Sequence, residues 1–386
     1  EQLEEGLEKG LGALFSDGML ASGLSGNVVE EQDYGEAMQS EYNKLFDLDQ
    51  LDRVHIIGRG TFSNVYLVKH TANDTYYALK VMFKDTLLKT NQCQAVFMER
   101  DLMKMFDDSF VTTLYATFQD KNCLYMVMNY IPGGDLFSLI QAGNPTLNKS
   151  RIGGLQIDAA SFYTANLIYI MQVLNNKDIV FRDLKPENFA LASTGYLSIL
   201  DFGSAKMLIG EETTNTMVGT PEYLAPEVIT SKGHAKGVDI WALGIMVYEI
   251  LTTKTPFEHA NSAMIYQNII ESEEVLRVSF TKEFDIDAKD FIMKLLVVNP
   301  HMRLGMLRNG LDDLWAHPFL ANSRARQDRE TFAHNSIMTK EHKPPFKPAD
   351  SKSAGSQRTH LDDLVIGNFD SDVTPDYQGK FDFSHF

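Results

Sequence analysis

Asp183, Lys185 and Asn188 are crowded into the run Phe181-Arg182-Asp183-Leu184-Lys185-Pro186-Glu187-Asn188, and Asp201-Phe202-Gly203 follows after one short apolar stretch. Carboxylates, an amide and an ammonium gathered around one turn suit a task in which phosphate oxygens and hard cations are held together. Phosphoryl transfer asks for little covalent chemistry. It needs phosphates gripped, charge neutralised and the attacking oxygen aimed. A candidate grip lies upstream in Gly58-Arg59-Gly60-Thr61-Phe62-Ser63, between two predicted strands, where small residues let backbone N–H groups close over a triphosphate. Ser63 stands where a full glycine pattern would have its third glycine, and taken alone the stretch reads as a tight hairpin. Lys80 lies inside the apolar strand Ala78-Leu79-Lys80-Val81-Met82, where an ammonium is costly unless paired. Glu99, on a predicted helix, is its candidate partner. Either residue alone reads as an ordinary solvated charge; the whole set is hard to read as a merely structural loop.

Those groups need elements to position them. From Val54 onward, short β-branched and aromatic runs appear at 54–57, 65–68, 76–79 and 124–128, which predict an antiparallel sheet interrupted by one helix over 92–105. After Pro132-Gly133-Gly134 the pattern turns helical, with long periodic segments near 159–174, 238–252 and 288–296. A single switch from strand to helix predicts an α+β architecture: a small β-rich lobe over 51–131, a hinge at 129–131 and a larger helical lobe over 132–320. Residues 1–50 form an acidic extension or linker, with Leu3, Leu7, Leu11 and Leu14 at the spacing of a short amphipathic helix. Residues 321–386 are rich in Pro, Ser, Asp and Lys. A structureless run of that length inside a compact domain is unusual, so it is expected to be disordered or to wrap the surface.

The 386 residues, 44% of them apolar, suffice for a large core divided between two units. No apolar run approaches the roughly 20 residues that cross a bilayer, and the start has no secretory leader pattern, so a cytoplasmic location is expected, with the nucleus also open to it. The start at Glu1 rather than Met leads us to expect residues upstream. Two cysteines, Cys93 and Cys123, leave no disulfide framework or cysteine zinc site. A net charge of -17 argues against a nucleic-acid binder and favours cationic partners.

Lys80, Glu99, the Arg182-Asp183-Leu184-Lys185-Pro186-Glu187-Asn188 loop, Asp201-Phe202-Gly203 and Ala225-Pro226-Glu227 stand in the order found in the eukaryotic protein kinases. The chain resembles that family over about residues 50 to 320. The resemblance implies a two-lobed kinase fold using ATP and magnesium, two ions by expectation. It implies that Lys80, ion-paired to Glu99, holds the α- and β-phosphates, that Asp183 accepts the substrate proton, that Lys185 contacts the γ-phosphate, and that Asn188 and Asp201 bind the metal. It also places Ile57, Gly58, Gly60, Val65, Ala78, Met128, Asn129, Ile131 and Asp135 around the nucleotide. Phe181 replaces the usual His or Tyr and is expected to keep its packing role.

Lys185 after Leu184, and Thr220 in Gly219-Thr220-Pro221-Glu222, resemble the Ser/Thr-specific branch. Together with Leu48-Asp49-Gln50, Arg303-Leu304-Gly305 and Phe383-Ser384-His385-Phe386, they resemble the AGC group, nearest the cyclic-AMP-dependent catalytic subunits and next the cyclic-GMP-dependent kinases. The resemblance implies that Phe383 and Phe386 dock on the small lobe, and that Thr216 is the activating phosphosite, read by Arg182 and Lys206, with Thr213 and Thr214 close by. It implies acidic readers of a basic substrate at Asp135, Glu187, Glu222 and Glu249, and an apolar pocket from Met217, Pro221 and Leu224. A tail aromatic is expected near the adenine, Phe369 being favoured over Leu361. Residues 143–156 read as a surface insertion. Partners implied are protein substrates with arginines before Ser or Thr, and a cyclic-nucleotide-binding regulatory subunit. The competing readings are the kinase portion of a cyclic-GMP-dependent enzyme and a catalytically dead kinase-fold scaffold.

Overall fold

The computed structural model describes residues 46–142, 150–321, 331–348 and 381–386, all within the compact unit Tyr42–Phe386. The expected helix near Leu3 and the adenine-capping choice between Leu361 and Phe369 therefore lie outside the described residues. In chain order the first elements are β1 (Leu51–Arg59), β2 (Ser63–His70), β3 (Tyr76–Phe83), α1 (Lys84–Lys89), α2 (Cys93–Met103), β4 (Leu114–Gln119) and β5 (Cys123–Asn129). The five strands form one antiparallel sheet in the order β1-β2-β3-β5-β4. The short helix α1 is absent from the pattern read above, since its few residues carry no clear helical period.

Strand periodicity decides which side chains face the site. Alternate residues point to opposite faces, and Ala78, Met82, Leu124, Met126 and Met128 join the core shared with α2 and the helical lobe. Their neighbours Tyr77, Leu79, Val81, Tyr125 and Val127 fill a separate core on the other face, together with Phe46. Phe46 meets Tyr77 edge-on with ring centroids 5.0 Å apart, tying the chain ahead of β1 to the sheet. Lys80, between Ala78 and Met82, therefore points toward α2.

The second lobe holds α3 (Leu136–Ala142), α4 (Ile157–Asn175), β6 (Ile179–Val180), β7 (Phe189–Leu191), β8 (Leu197–Ile199), β9 (Lys206–Met207), α5 (Pro226–Ile229), α6 (Gly237–Thr252), α7 (Ser262–Ile270), α8 (Ser272–Ser279), α9 (Ile286–Leu295), α10 (Asp312–Trp315) and α11 (His334–Met338). Helix α6 is buried along nearly its whole length and around all sides, as expected of a core helix with no polar face. Helices α4 and α9 pack on it. Residues 150–155 lie against its end, where Gly154 N–H donates to Leu251 O at 2.9 Å. Among the described residues no helix is long and apolar enough to cross a membrane.

Two pieces of the tail are described, and they touch different lobes. In the first, Phe332 and Ile337 are buried, and Tyr196 donates to His342 O at 2.8 Å. This piece runs so close to the loop at Gly133 that a Cβ there would meet Pro348 Cγ at 2.4 Å and Leu191 O at 2.3 Å; only glycine fits. In the second, residues 381–386 sit on the small lobe, where Phe97 of α2 meets Phe381, Phe383 and Phe386 with centroids 5.7, 6.3 and 5.4 Å apart.

Candidate active site

Lys80 Nζ lies 2.6 Å from Glu99 Oε1 and 3.4 Å from Asp201 Oδ1. Burial works against the Lys80 ammonium, but Asp201 and Glu99 outweigh it and raise its pKa, so the charge is kept. Burial pushes Glu99 up to about 7, against the pull of Lys80. The Lys80 charge is the main reason Asp201 sits low, at about 2, helped by the Gly203 N–H at 2.9 Å. Half of the Asp201 side chain is open to solvent. The cation is thus fixed between two elements far apart in sequence, α2 and the stretch after β8.

The loop between β6 and β7 carries the second group. Its one-turn helix Pro186–Asn188 and the β7–β8 hairpin fold back so that Leu200 N–H donates to Asn188 O at 2.9 Å, bringing Asn188 beside Asp201. Asp183 Oδ1 accepts from the backbone N–H and the hydroxyl of Thr220, both at 3.1 Å. Its Oδ2 accepts from Asn188 Nδ2 at 3.1 Å and pairs with Lys185 Nζ at 3.0 Å. Lys185 also donates to Thr220 Oγ1 at 2.8 Å. A carboxylate satisfied on both oxygens cannot rotate freely, so its direction is fixed before any substrate arrives.

Arg182 has φ 67, a left-handed conformation that costs a non-glycine residue free energy unless its surroundings impose it. Asp239 imposes it, accepting from the backbone N–H of Phe181 and of Arg182 at 2.8 Å each. Burial raises the Asp239 carboxyl to about 6, the two N–H donors opposing. Phe181 is buried against Phe202 and Phe189, which is the packing role expected of it. Gly219, at φ 110, lets the chain between β9 and α5 pass over this loop: a Cβ would stand 2.8 Å from Arg182 O.

The nucleotide candidates Val65, Ala78 and Met128 lie on the sheet face that looks toward the large lobe. Ile57 is 40% exposed at the end of β1. The β1–β2 turn is closed by Gly60 N–H donating to Ser63 O at 2.8 Å. Asn129 accepts the Thr113 N–H on its side chain at 2.8 Å, so it braces the hinge, and Ile131 beyond it is half-buried. For a metal, Asn188 commits its amide nitrogen to Asp183 O at 2.7 Å as well as to Oδ2, so its carbonyl Oδ1 is the atom that could ligate a cation. Such hard oxygens fit magnesium. Among the described residues no cluster of three or more His, Cys, Asp or Glu could hold a metal, so phosphate and water oxygens would complete its shell.

Three of the four acidic candidates act on one another. Glu249 is buried and accepts the Tyr223 hydroxyl, and burial with the charges of Glu187 and Glu222 pushes it up to about 7. Glu222 accepts from Thr255 at 2.7 Å, and Glu187 is exposed. Asp135 is held differently, capping α3 by accepting the Ser138 N–H at 2.6 Å. Of the apolar set, Leu224 is buried, whereas Met217 and Pro221 face solvent. Thr216 is exposed. Lys206 does not reach it directly: its Nζ donates to the buried Thr214 hydroxyl at 3.2 Å, which in turn lies 3.3 Å from Thr216 Oγ1. Arg182 Nε is bonded to Ser204 O at 2.7 Å. Phe383 and Phe386 are seated on Phe97, with Arg100 over the Phe386 ring at 5.5 Å and Gln119 donating to Phe383 O at 2.7 Å.

Sequence reasoning gave no role to Asp239 or to Thr214, and Arg303 served only as part of a resemblance. Each carries a visible signal: an acid inside the apolar run Val238-Asp239-Ile240-Trp241, a threonine among three, and an arginine that proves to be fully enclosed.

Residues 51–320 match the family described as Protein kinase domain, and the chain belongs to it. It is a protein serine/threonine kinase. The chain is 40% identical over 273 residues to the human cAMP-dependent protein kinase catalytic subunit PRKX, covering 71% of this chain and 72% of that one. It is 36% identical over 291 residues to a Caenorhabditis elegans cAMP-dependent protein kinase, catalytic subunit-like (75% and 69% covered). It is also 36% identical over 274 residues to cAMP-dependent protein kinase type 3 of Saccharomyces cerevisiae (71% and 65% covered). The AGC resemblance read from the motifs agrees with these relatives.

Proposed function

We propose that the chain transfers the γ-phosphate of ATP to Ser or Thr in proteins whose acceptor follows arginines, and that a cyclic-nucleotide-binding regulatory subunit controls it. The arrangement around Asp183 supports this reading above all, its carboxylate held by Thr220, Lys185 and Asn188 while Lys80 is held by Glu99 and Asp201. In this reading Asp183 orients the acceptor hydroxyl and takes its proton, Lys185 meets the γ-phosphate, and Lys80 the α- and β-phosphates. Asn188 and Asp201 would hold magnesium, which when bound neutralises charge on the phosphate oxygens. Ile57, Val65, Ala78 and Met128 flank the adenine. Glu187, Glu222 and Glu249 attract the arginines, Thr216 takes the activating phosphate, and Phe383 with Phe386 steadies α2 and hence Glu99.

A peptide-array phosphorylation assay on the chain, with and without cyclic-nucleotide-binding regulatory subunits, tests this. Arginine-preceded peptides are expected to dominate, and the regulatory subunit to inhibit until cyclic nucleotide is added. A preference for acidic or proline-directed peptides would overturn the specificity, and failure of inhibition would favour the cyclic-GMP-type reading.

A further inference from the structure

We infer that His234 is a third member of the cradle that receives a phosphate on Thr216, and that the phosphate and a proton on His234 are bound together. The inference rests on the reading of Thr216 as the activating phosphosite and adds a ligand to it. Thr214 and His234 form an isolated antiparallel bridge, exchanging both backbone hydrogen bonds, Thr214 N–H to His234 O at 3.0 Å and His234 N–H to Thr214 O at 2.9 Å. Directly opposed residues of an antiparallel pair project their side chains to the same face. The Thr214 hydroxyl is the point on which Lys206 Nζ and Thr216 Oγ1 converge, at 3.2 and 3.3 Å, so the His234 ring is on the side where these groups meet. Arg182 and His234 also line one small pocket, and Arg182 Nη1 is buried without an acceptor.

Three charged groups act on His234: Arg182 from the loop after β6, Lys206 from β9, and Glu227 from α5. Burial, then Arg182, lower the His234 pKa; Glu227 opposes and Lys206 lowers it further. Cations packed beside a cation repel, and the unmodified chain therefore keeps His234 neutral. A phosphate dianion adds nearly two negative charges and three strong acceptors. It meets the unpaired Arg182 Nη1, pairs with Lys206 and reverses the field at His234, which then charges and donates. Phosphorylation of Thr216 takes up a proton at neutral pH.

In the unmodified chain the folded-state pKa of His234 lies below the unfolded one, so this histidine destabilises the fold as pH falls through its unfolded pKa. In the phosphorylated chain the order is reversed, and His234 contributes stability that is full below the unfolded pKa and lost as pH rises through the folded one.

The test uses the full chain with phosphothreonine installed at position 216 by genetic-code expansion, beside the unmodified chain. The His234 ring is followed by NMR through a pH titration, and Tm is measured across the same range. The expected result is a His234 titration below that of free histidine in the unmodified chain and above it in the phosphorylated one, with the Tm gap between the two widening as pH falls. His234→Gln is expected to abolish the widening while leaving the gap at high pH. Overlapping His234 titrations in the two forms, or a Tm gap independent of pH, would overturn the inference even if the phosphate raises activity. If installed phosphate leaves activity unchanged while His234 still shifts, the activating role fails and the cradle stands.

Discussion

Replacing Arg303 with Met isolates an interaction that has no part in chemistry yet holds the substrate side of the site. Arg303 is fully enclosed, and its Nη1 and Nη2 each lie 2.7 Å from one oxygen of Glu227. It further donates to Gly237 O at 2.8 Å, Val297 O at 2.8 Å and Val298 O at 3.2 Å. Removing one partner of a buried ion pair strands the other and costs about 3–5 kcal/mol, and three abandoned carbonyls add about 1 kcal/mol or more. Against a total stability of about 5–15 kcal/mol this is a large loss. Chemical denaturation, extrapolated to water, measures it. The double variant Arg303→Met with Glu227→Leu removes the stranded charge, so it is expected to recover roughly 2–3 kcal/mol while the carbonyl loss remains. Because Glu227 directly follows Leu224, Ala225 and Pro226, the single variant is also expected to raise KM for peptide more than KM for ATP. A cost below about 1 kcal/mol for the single variant, or a double variant no more stable than the single, would refute the reasoning.

Asp183→Asn keeps the hydrogen bonds from Thr220 but not the base, and is expected to cut kcat by roughly 10²- to 10⁴-fold with KM for ATP little changed; steady-state kinetics decide, and an unchanged kcat removes Asp183 from the proton transfer. Phe383→Ala empties a buried seat between Phe97 and Lys84, whose Nζ lies 5.2 Å from the ring; hydrogen exchange is expected to quicken in α2 but not in α6, with a fall in kcat, and equal quickening in both would contradict local docking. Glu249, pushed up to about 7, is charged above that value and neutral below it, so kcat/KM for an arginine-bearing peptide is expected to fall as pH drops from about 8 to about 6; Glu249→Gln should flatten that profile, and an unaltered profile would assign the dependence elsewhere. Gly219→Ala forces a Cβ to within 2.8 Å of Arg182 O at φ 110, and a variant with normal kcat would show that the segment shifts freely.

The lobes and the chemical groups were legible because each depends on local sequence. Asp183, Lys185 and Asn188 share one loop, and the alternation that aims Lys80 at α2 is a property of β3 alone. The tail's aromatics were legible as a motif, though their seat on Phe97 was not. What could not be read was whatever depends on two distant segments choosing each other. Asp239 and the Phe181 N–H are 58 residues apart, Arg303 and Glu227 are 76 apart, and nothing in either local stretch names the partner. The Thr214 contact was out of reach for a related reason: the β-bridge with His234 turns Thr214 inward, and its buried hydroxyl takes the Lys206 ammonium.

Helix α6 connects the two halves of the site. Asp239 lies in its first turn, where the exposed N–H groups of a helix favour an anion. That placement and the two donated N–H groups offset part of the cost of burying a carboxylate, and what they hold is the strained Arg182 that starts the catalytic loop. Glu249 lies ten residues further along, about 15 Å at the helical rise, where it accepts the Tyr223 hydroxyl. One helix, buried on all sides, thus sets the distance between the groups that would act on the hydroxyl and those that would read the flanking residues. A helix with a polar face could bend or shift toward solvent; α6 has none, and its position is fixed by packing from α4 and α9. Substitutions that lengthen or kink α6 between these two residues are therefore expected to uncouple peptide recognition from turnover, leaving weak binding and residual catalysis as separable defects.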